Sequence, residues 1–340
     1  MKRILLTGGG SAGHVTPLLA VKESLDLLGE FEYLMIGSKL TAGEVKHKNI
    51  LSTKWRRYFS LKNIFGLFVL PIGFLQSVWH VFWFMPNVCF SKGGYASVMP
   101  VFVCWLFRIP VVIHESDSIA GSSNRFLAKF SKKVCIAYKE AKSYFPEGKV
   151  ILTGNPVRKK IIQEKINTKK KVLLVLGGSQ GSEFINKMIV AILPELLRES
   201  QVIHQTGLGK KLNVKFKGYK QVEYINDMGK AYAVSDLILT RAGANTLAEI
   251  SALGKASVII PLPKSANDHQ KENAYIYSEN QAAIVFEQET LGPLTLLEKL
   301  TTLLREPGIL KNMGMHAGQL NTQDASARVA KVVKYFIDNK

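Results

Sequence analysis

The sequence predicts an α/β protein with two Rossmann-like, doubly wound parallel-sheet domains facing each other across a cleft. Two observations carry that prediction. Short apolar runs alternate with amphipathic stretches along the chain, the pattern of strands and helices wound into parallel sheets. A strand followed by a glycine-rich loop also occurs twice, once at the start and once near mid-chain. Ile4-Leu5-Leu6-Thr7 leads into Gly8-Gly9-Gly10-Ser11-Ala12-Gly13-His14, and Val172-Leu173-Leu174-Val175-Leu176 leads into Gly177-Gly178-Ser179-Gln180-Gly181. In such sheets ligands bind outside the carboxyl ends of the strands.

After the first loop, Thr16-Pro17 reads as an N-cap with a first-turn proline. Leu18, Val21, Leu25 and Leu28 then recur at helical spacing until Gly29. Further strands are expected at 33–36, 88–91, 111–114, 202–205, 237–240 and 257–261. The domain boundary is placed at Gly154-Asn155-Pro156, just before a lysine-rich, apolar-poor stretch. This gives an N-terminal domain over 1–157 and a C-terminal domain over 158–324, with a last helix (325–340) packing back on the first.

With 340 residues, 47% of them hydrophobic, the chain can fill two ordinary cores. Its three cysteines, Cys89, Cys104 and Cys135, lie in or beside apolar runs without paired spacing. This points to a reducing compartment rather than to disulfides or a zinc site. The short first strand ends in glycines, so no export signal is read. A formal charge of +19 attracts polyanions: phosphorylated substrates, anionic lipid or nucleic acid.

Gly8, Gly10 and Gly13 fit a dinucleotide fingerprint, yet the second strand ends in Gly37-Ser38 where a ribose-binding acid would be needed. An NAD enzyme is therefore disfavoured, and the loop reads as an anion-binding turn carrying a reactive side chain, His14. The second glycine loop adds Ser179 and Gln180 to a similar cradle. In Arg241-Ala242-Gly243-Ala244-Asn245-Thr246-Leu247-Ala248-Glu249, small residues let a ligand approach a helix start. Thr246 and Glu249 there suit either a nucleotide or a capping box. Asn267-Asp268-His269-Gln270 follows another strand end, and Arg158 offers a fork that suits a diphosphate.

Taken in order, these motifs, with Ser91-Lys92-Gly93-Gly94-Tyr95, His114-Glu115-Ser116-Asp117 and Gly154-Asn155-Pro156-Val157-Arg158, resemble the bacterial MurG family. The resemblance spans nearly the whole chain. It implies a GT-B fold and an inverting transfer of N-acetylglucosamine from UDP-N-acetylglucosamine to the muramyl 4-hydroxyl of lipid I. The product would be lipid II for peptidoglycan synthesis. It further implies that Glu249 binds the ribose, Ser179 and Thr246 the phosphates or nearby backbone, and Gln270 the donor sugar. The Ile225 backbone would meet the uracil, and Arg158 matches a donor-binding arginine. Ser11, Ala12 and Gly13 would line the acceptor diphosphate and the donor sugar. Some relatives have Asn where this chain has Asp117, so that donor contact is in question and Asp117 becomes a second candidate base beside His14. With no Asp-x-Asp pair at a strand end, neither metal nor other cofactor is expected; helix N-termini and Arg158 would meet the leaving diphosphate.

No charged residue occurs from Asn63 to Ser91, and Phe65, Phe68, Phe74, Trp79, Phe82, Trp83 and Phe84 crowd the segment. Pro71, Gln76, His80 and two glycines interrupt it. A helix lying in the membrane interface, flanked by Lys54, Arg56, Arg57 and Lys62, fits better than a spanning one. The alternative is a helix of the core. The expected partners are UDP-N-acetylglucosamine, undecaprenyl-linked lipid I and an anionic membrane surface, at the cytoplasmic face and without nucleic acid. A diacylglycerol glycosyltransferase is the alternative activity.

Overall fold

A computed structural model describes residues 1–9, 12–38, 45–53, 61–162 and 164–339; side chains 12, 61–65 and 67 fall outside that description. Gly10, Ser11, Lys54, Arg56 and Arg57, and the side chains of Ala12, Lys62, Ile64, Phe65 and Leu67, therefore lie outside the described set. The chain divides into two compact units, Met1–Arg158 with Asp324–Lys340, and Lys159–Gln323.

In the first unit seven strands form one parallel sheet: β1 (Lys2–Gly9), β2 (Phe31–Ser38), β3 (His47–Asn49), β4 (Val88–Ser91), β5 (Val111–Glu115), β6 (Lys133–Ile136) and β7 (Val150–Leu152). Their order is β3-β2-β1-β4-β5-β6-β7, reversing direction of growth at β1. The inner strands are buried almost throughout and mostly apolar because both faces are covered, as parallel sheets require. Helices α1 (Ala12–Asp26), α2 (Leu61–Phe84), α3 (Val98–Leu106) and α4 (Ser122–Leu127) supply much of that cover.

Helix α1 begins at Ala12, four residues before the expected cap at Thr16, so Pro17 lies inside it. Pro17 forgoes one intrahelical donor, a loss that stays near the helix start.

Helix α2 has two faces. Val81 and Ser77 are buried, and Phe74, Val78 and Phe84 pack against a core cluster that includes Leu5, Leu34 and Ile113. Gly73 allows the close approach to Leu51, whose carbonyl oxygen would lie 2.1 Å from an added Cβ. The opposite face exposes Phe68, Ile72, Leu75, Trp79, Phe82 and Trp83. Phe74 thus belongs to the inward face, not to the exposed stripe. Among the described residues, no helix is long and apolar enough to cross a membrane.

The second unit carries β8 (Lys171–Leu176), β9 (Ser200–Gln205), β10 (Tyr219–Val222), β11 (Leu237–Thr240), β12 (Ala256–Ile259) and β13 (Ala283–Val285). They form a parallel sheet in the order β10-β9-β8-β11-β12-β13. Around it lie α5 (Glu183–Glu199), α6 (Met228–Val234), α7 (Ala244–Ala252), α8 (His269–Glu279), α9 (Pro293–Arg305) and α10 (Pro307–Gln319). Leu173, Val175, Ile189, Leu193, Leu239 and Leu300 belong to one core cluster. The last helix, α11 (Ala325–Asp338), returns to the first unit. Its Val329, Ala330, Val333 and Ile337 share a core cluster with Leu18, Val21 and Leu25 of α1. Ser326 caps this return by donating to the Val157 carbonyl at 2.9 Å.

Candidate active site

At the carboxyl ends of β1, β4 and β5 the first unit gathers a set of polar side chains. His14, in the first turn of α1, is half-buried and lies against Gly94. An added Cβ on Gly94 would be 3.2 Å from His14 Cε1, so a bare glycine leaves room for the ring. His14 Nδ1 is covered and finds no hydrogen-bond partner among the described residues. Burial pushes the imidazole down to about 4, and the Lys92 charge pushes the same way, while Asp117 opposes both. His14 is therefore neutral at physiological pH.

Lys92, just past β4, is 4% exposed. Its Nζ donates to Ser116 Oγ, which donates in turn to Asn155 Oδ1 at 2.8 Å. Burial pushes the Lys92 ammonium down to about 8, against the carboxylates of Glu115 and Asp117. The buried Glu115 carboxyl accepts from the Asp117 N–H (3.0 Å), the Gly121 N–H (2.9 Å) and Asn124 Nδ2 (3.0 Å). Burial and Asp117 nonetheless raise its pKa. Glu115 thereby shapes the loop that carries Asp117. His114, also buried, bonds the Gly154 carbonyl through Nε2 at 2.9 Å. Arg158 is buried and engages Glu23, with Nη2 and Nε both on Oε1, at 2.6 and 2.7 Å. Its guanidinium is thus held by α1.

In the second unit, the loop after β8 turns through Gly178 and Gly181, both at positive φ. An added Cβ on Gly181 would lie 2.0 Å from the Thr206 carbonyl oxygen, so only glycine permits this approach. Ser179 and Gln180 are exposed on the loop. Ser182 closes it as the N-cap of α5, accepting from the Ile185 N–H at 3.3 Å. Gln205, at the end of β9, ties this loop to the segment carrying Ile225. Its Nε2 donates to the Gly178 carbonyl at 3.2 Å and its Oε1 accepts from the Ile225 N–H at 2.9 Å.

Helix α7 begins after Gly243, which makes no side-chain cap, so Thr246 and Glu249 form no capping box. Glu249 instead lies within the helix and accepts from the fully buried Tyr232 hydroxyl at 2.8 Å. Burial pushes the Glu249 carboxyl up to about 7, although the Tyr232 bond pulls it down. Arg241 is buried, donating to the carbonyls of Ile260 and Pro261, to Ser182 Oγ and to Gln288 Oε1. It fastens three strand-end loops together. Gln270, second residue of α8, accepts from the Leu262 N–H at 3.1 Å. Asn267 and Asp268 just before it stand at positive φ. Among the described residues, no group of three or more His, Cys, Asp or Glu could hold a metal ion.

A model of the glycosyltransferase family 28 N-terminal domain matches residues 4–136, and one of the family 28 C-terminal domain matches residues 172–329. A protein of Lachnospira eligens is 38% identical over 324 residues, covering 89% of this chain and 91% of its own length. Its name is UDP-N-acetylglucosamine--N-acetylmuramyl-(pentapeptide) pyrophosphoryl-undecaprenol N-acetylglucosamine transferase. A protein of the same name from Clostridium kluyveri is 35% identical over 358 aligned positions, 99% of this chain and 100% of its own. The crystal structure of Acinetobacter baumannii MurG matches with a TM-score of 0.72 and 26% identity, covering 98% of this chain and 100% of that one. The chain belongs to the MurG family.

Its fold is accordingly that of GT-B enzymes, two parallel-sheet α/β domains. In the first unit the charge of Asp117 reaches His14, and in the second Thr246 and Glu249 lie on the one helix α7. Four side chains that build these places were given no role from sequence, Lys92 and Glu115 appearing only within quoted motifs: Lys92, Glu115, Gln205 and Tyr232. Lys92 and Glu115 had a legible signal, since each is a charged residue ending an apolar strand. Gln205 has a weaker one, being polar at the end of β9. Tyr232 reads as an ordinary core aromatic, and only the contact with Glu249 distinguishes it.

Proposed function

We propose that this MurG-family protein transfers N-acetylglucosamine from UDP-N-acetylglucosamine to undecaprenyl-pyrophosphoryl N-acetylmuramyl pentapeptide, converting lipid I to lipid II. The observation that carries this reading is the near full-length likeness to relatives whose names state that donor and acceptor. The second unit would hold the donor: Glu249 takes the ribose hydroxyls, while Ser179, Gln180 and Thr246 meet the diphosphate beside the starts of α5 and α7. Helix N-termini there favour the charge that develops on the leaving UDP. Gln270 would contact the sugar. Because the Ile225 N–H is engaged by Gln205, uracil recognition would use the Ile225 carbonyl or displace that amide.

The first unit would hold the acceptor, with Ser11, Ala12 and Gly13 beside its diphosphate and His14 as base. As the muramyl 4-oxygen bonds to the anomeric carbon, its proton passes to the imidazole. The bond from that carbon to the UDP oxygen breaks with its electron pair, inverting configuration. Burial keeps His14 unprotonated, and incoming phosphate charge would raise its proton affinity at the moment it is needed. Acceptor binding must also uncover Nδ1 if that nitrogen takes the proton. Asp117 would balance the resulting imidazolium or act as base itself. Arg158 would join the diphosphate only by exchanging Glu23 for it.

Peripheral attachment at the cytoplasmic face of the membrane belongs to the same reading. The exposed stripe of Phe68, Leu75, Trp79 and Trp83 is the feature that supports it, with the chain's positive charge. The test is UDP release by the purified protein, supplied with UDP-N-acetylglucosamine and either lipid I or diacylglycerol. Release with lipid I alone is expected. Release with diacylglycerol alone would make the protein a glycolipid glycosyltransferase, and release with neither would overturn the assignment.

A further inference from the structure

The second unit buries a chain of polar side chains that the transfer chemistry does not use. His204 lies in β9, is fully buried, and engages a partner at each ring nitrogen. Its Nε2 is 3.0 Å from Asn186 Oδ1, and its Nδ1 is 2.9 Å from the Tyr219 hydroxyl at the start of β10. Asn186, the fourth residue of α5 and itself buried, carries the connection on by donating from Nδ2 to the Thr206 carbonyl at 3.1 Å. These bonds fix the protons. A backbone carbonyl only accepts, so the Asn186 amide must turn its nitrogen to Thr206 and its oxygen to His204. Nε2 therefore carries the hydrogen, and the bare Nδ1 accepts from Tyr219. Burial pushes the imidazole down to about 4, so this neutral form persists at physiological pH.

The far end of this chain is the glycine loop. The Thr206 carbonyl lies so close to Gly181 that a Cβ there would overlap it, and a Cβ on Gly207 would come 2.5 Å from the Gln180 carbonyl oxygen. The two backbones are in contact, so the place of Thr206 sets the place of the loop after β8. Gln205, next to His204 in β9, holds the same loop at Gly178. Adjacent residues of one strand thus fix both ends of the turn. Apolar side chains could fill this interior without the cost of burying polar groups, but they would not set a direction. We infer that His204 is a positioning residue for the donor diphosphate: through Asn186 it holds the Thr206 carbonyl, and with it the Gly177–Gly181 loop that carries Ser179 and Gln180. The inference rests on reading that loop as the diphosphate cradle.

The experiment pairs calorimetry with UDP and kinetics with UDP-N-acetylglucosamine and lipid I, on the full chain carrying His204→Phe, which keeps a ring and removes both bonds. The Kd for UDP and the KM for the donor should rise about tenfold, with kcat and the KM for lipid I within about twofold. A merely structural role would lower kcat through lost folded enzyme and leave both KM values alone. In hydrogen exchange the amides of 178–182 should open faster while β8 and β11 keep their protection. If His204→Phe does not fold, Tyr219→Phe, which removes one hydroxyl from a half-buried ring, should raise the UDP Kd about threefold. Nitrogen-15 spectra of the unaltered protein should show His204 protonated at Nε2 and bare at Nδ1; the opposite tautomer overturns the relay. Ser179→Ala with Gln180→Ala tests the underlying reading, and unchanged UDP affinity in that pair would remove the loop as donor cradle. If that pair weakens UDP binding while His204→Phe and Tyr219→Phe do not, the role of His204 is overturned.

Discussion

Glu249 is half-buried on α7, and the ribose reading makes a definite demand on it. A diol is held best by a carboxylate, yet burial places the free group's pKa at about 7. Below that pH the folded chain holds a proton that donor binding must expel, so affinity should weaken as pH falls through 7. The limit is about tenfold per pH unit. The donor itself, a diphosphate diester, does not titrate there, so calorimetry with UDP-N-acetylglucosamine between pH 6 and 8 isolates the effect. Glu249→Gln should remove the pH dependence and raise the donor Kd by about tenfold to a hundredfold, the worth of a lost charge-assisted bond. Unchanged affinity would refute the ribose role. Tyr232 sets the rotamer of this carboxyl from beneath, which is why a fully buried tyrosine in α6 belongs to the site.

At the scale of an element, α2 separates two jobs that composition alone merges. Phe74 packs inward and meets Phe102 with ring centroids 6.2 Å apart, whereas Trp79 and Trp83 point outward, 5.6 Å apart. Trp79→Ser with Trp83→Ser should lower co-sedimentation with anionic vesicles while leaving thermal stability and activity on a water-soluble acceptor intact. Phe74→Ser should do the reverse, costing about 2 kcal/mol of stability through lost packing. Equal effects of the two changes on vesicle binding would remove the membrane role of the stripe. Ser77 and Gly73 both lie on the buried face of α2. The serine hydroxyl donates to the Gly73 carbonyl, and that glycine lets the helix approach Leu51.

For the whole molecule, the first unit is assembled from both ends of the chain. Residues 324–340 supply Val329, Val333 and Ile337 to a core shared with α1, each contributing about 1.5–3 kcal/mol by burial. Their sum rivals the stability of an ordinary domain. Removing them should therefore strip amide protection from β1 through β7 in hydrogen exchange, while β8 through β13 remain protected. Uniform loss across both sheets would contradict two separately cored units. Net charge acts at the same scale. With +19 formal charges, vesicle binding should fall steeply as salt shortens the screening length to ~10 Å at 0.1 M. Salt-insensitive binding would leave the apolar stripe as its sole basis.

Much of this was legible in the residues themselves. Doubly buried strands such as Leu173–Leu176 and Val88–Ser91 are unbroken apolar runs, and glycine loops mark where each sheet opens. Five strands, β3, β6, β7, β10 and β13, were not anticipated. They are three or four residues long; four of them are sheet edges, and β6 lies beside one. Their pairing, rather than their sequence, makes them strands. The start of α1 was misread at Thr16 because a proline after a threonine mimics a cap, whereas the helix already runs from Ala12 and takes Pro17 inside it. By itself the sequence determined the fold class, the family and the motifs that carry His14, Asp117, Ser179 and Glu249, because each is a local pattern. Only the tertiary structure decided which face of α2 is exposed, that Arg158 rests on Glu23, and that Lys92 lies buried with its ammonium on Ser116. Burial and long-range charge are properties of what surrounds a residue, and a linear sequence does not state its surroundings.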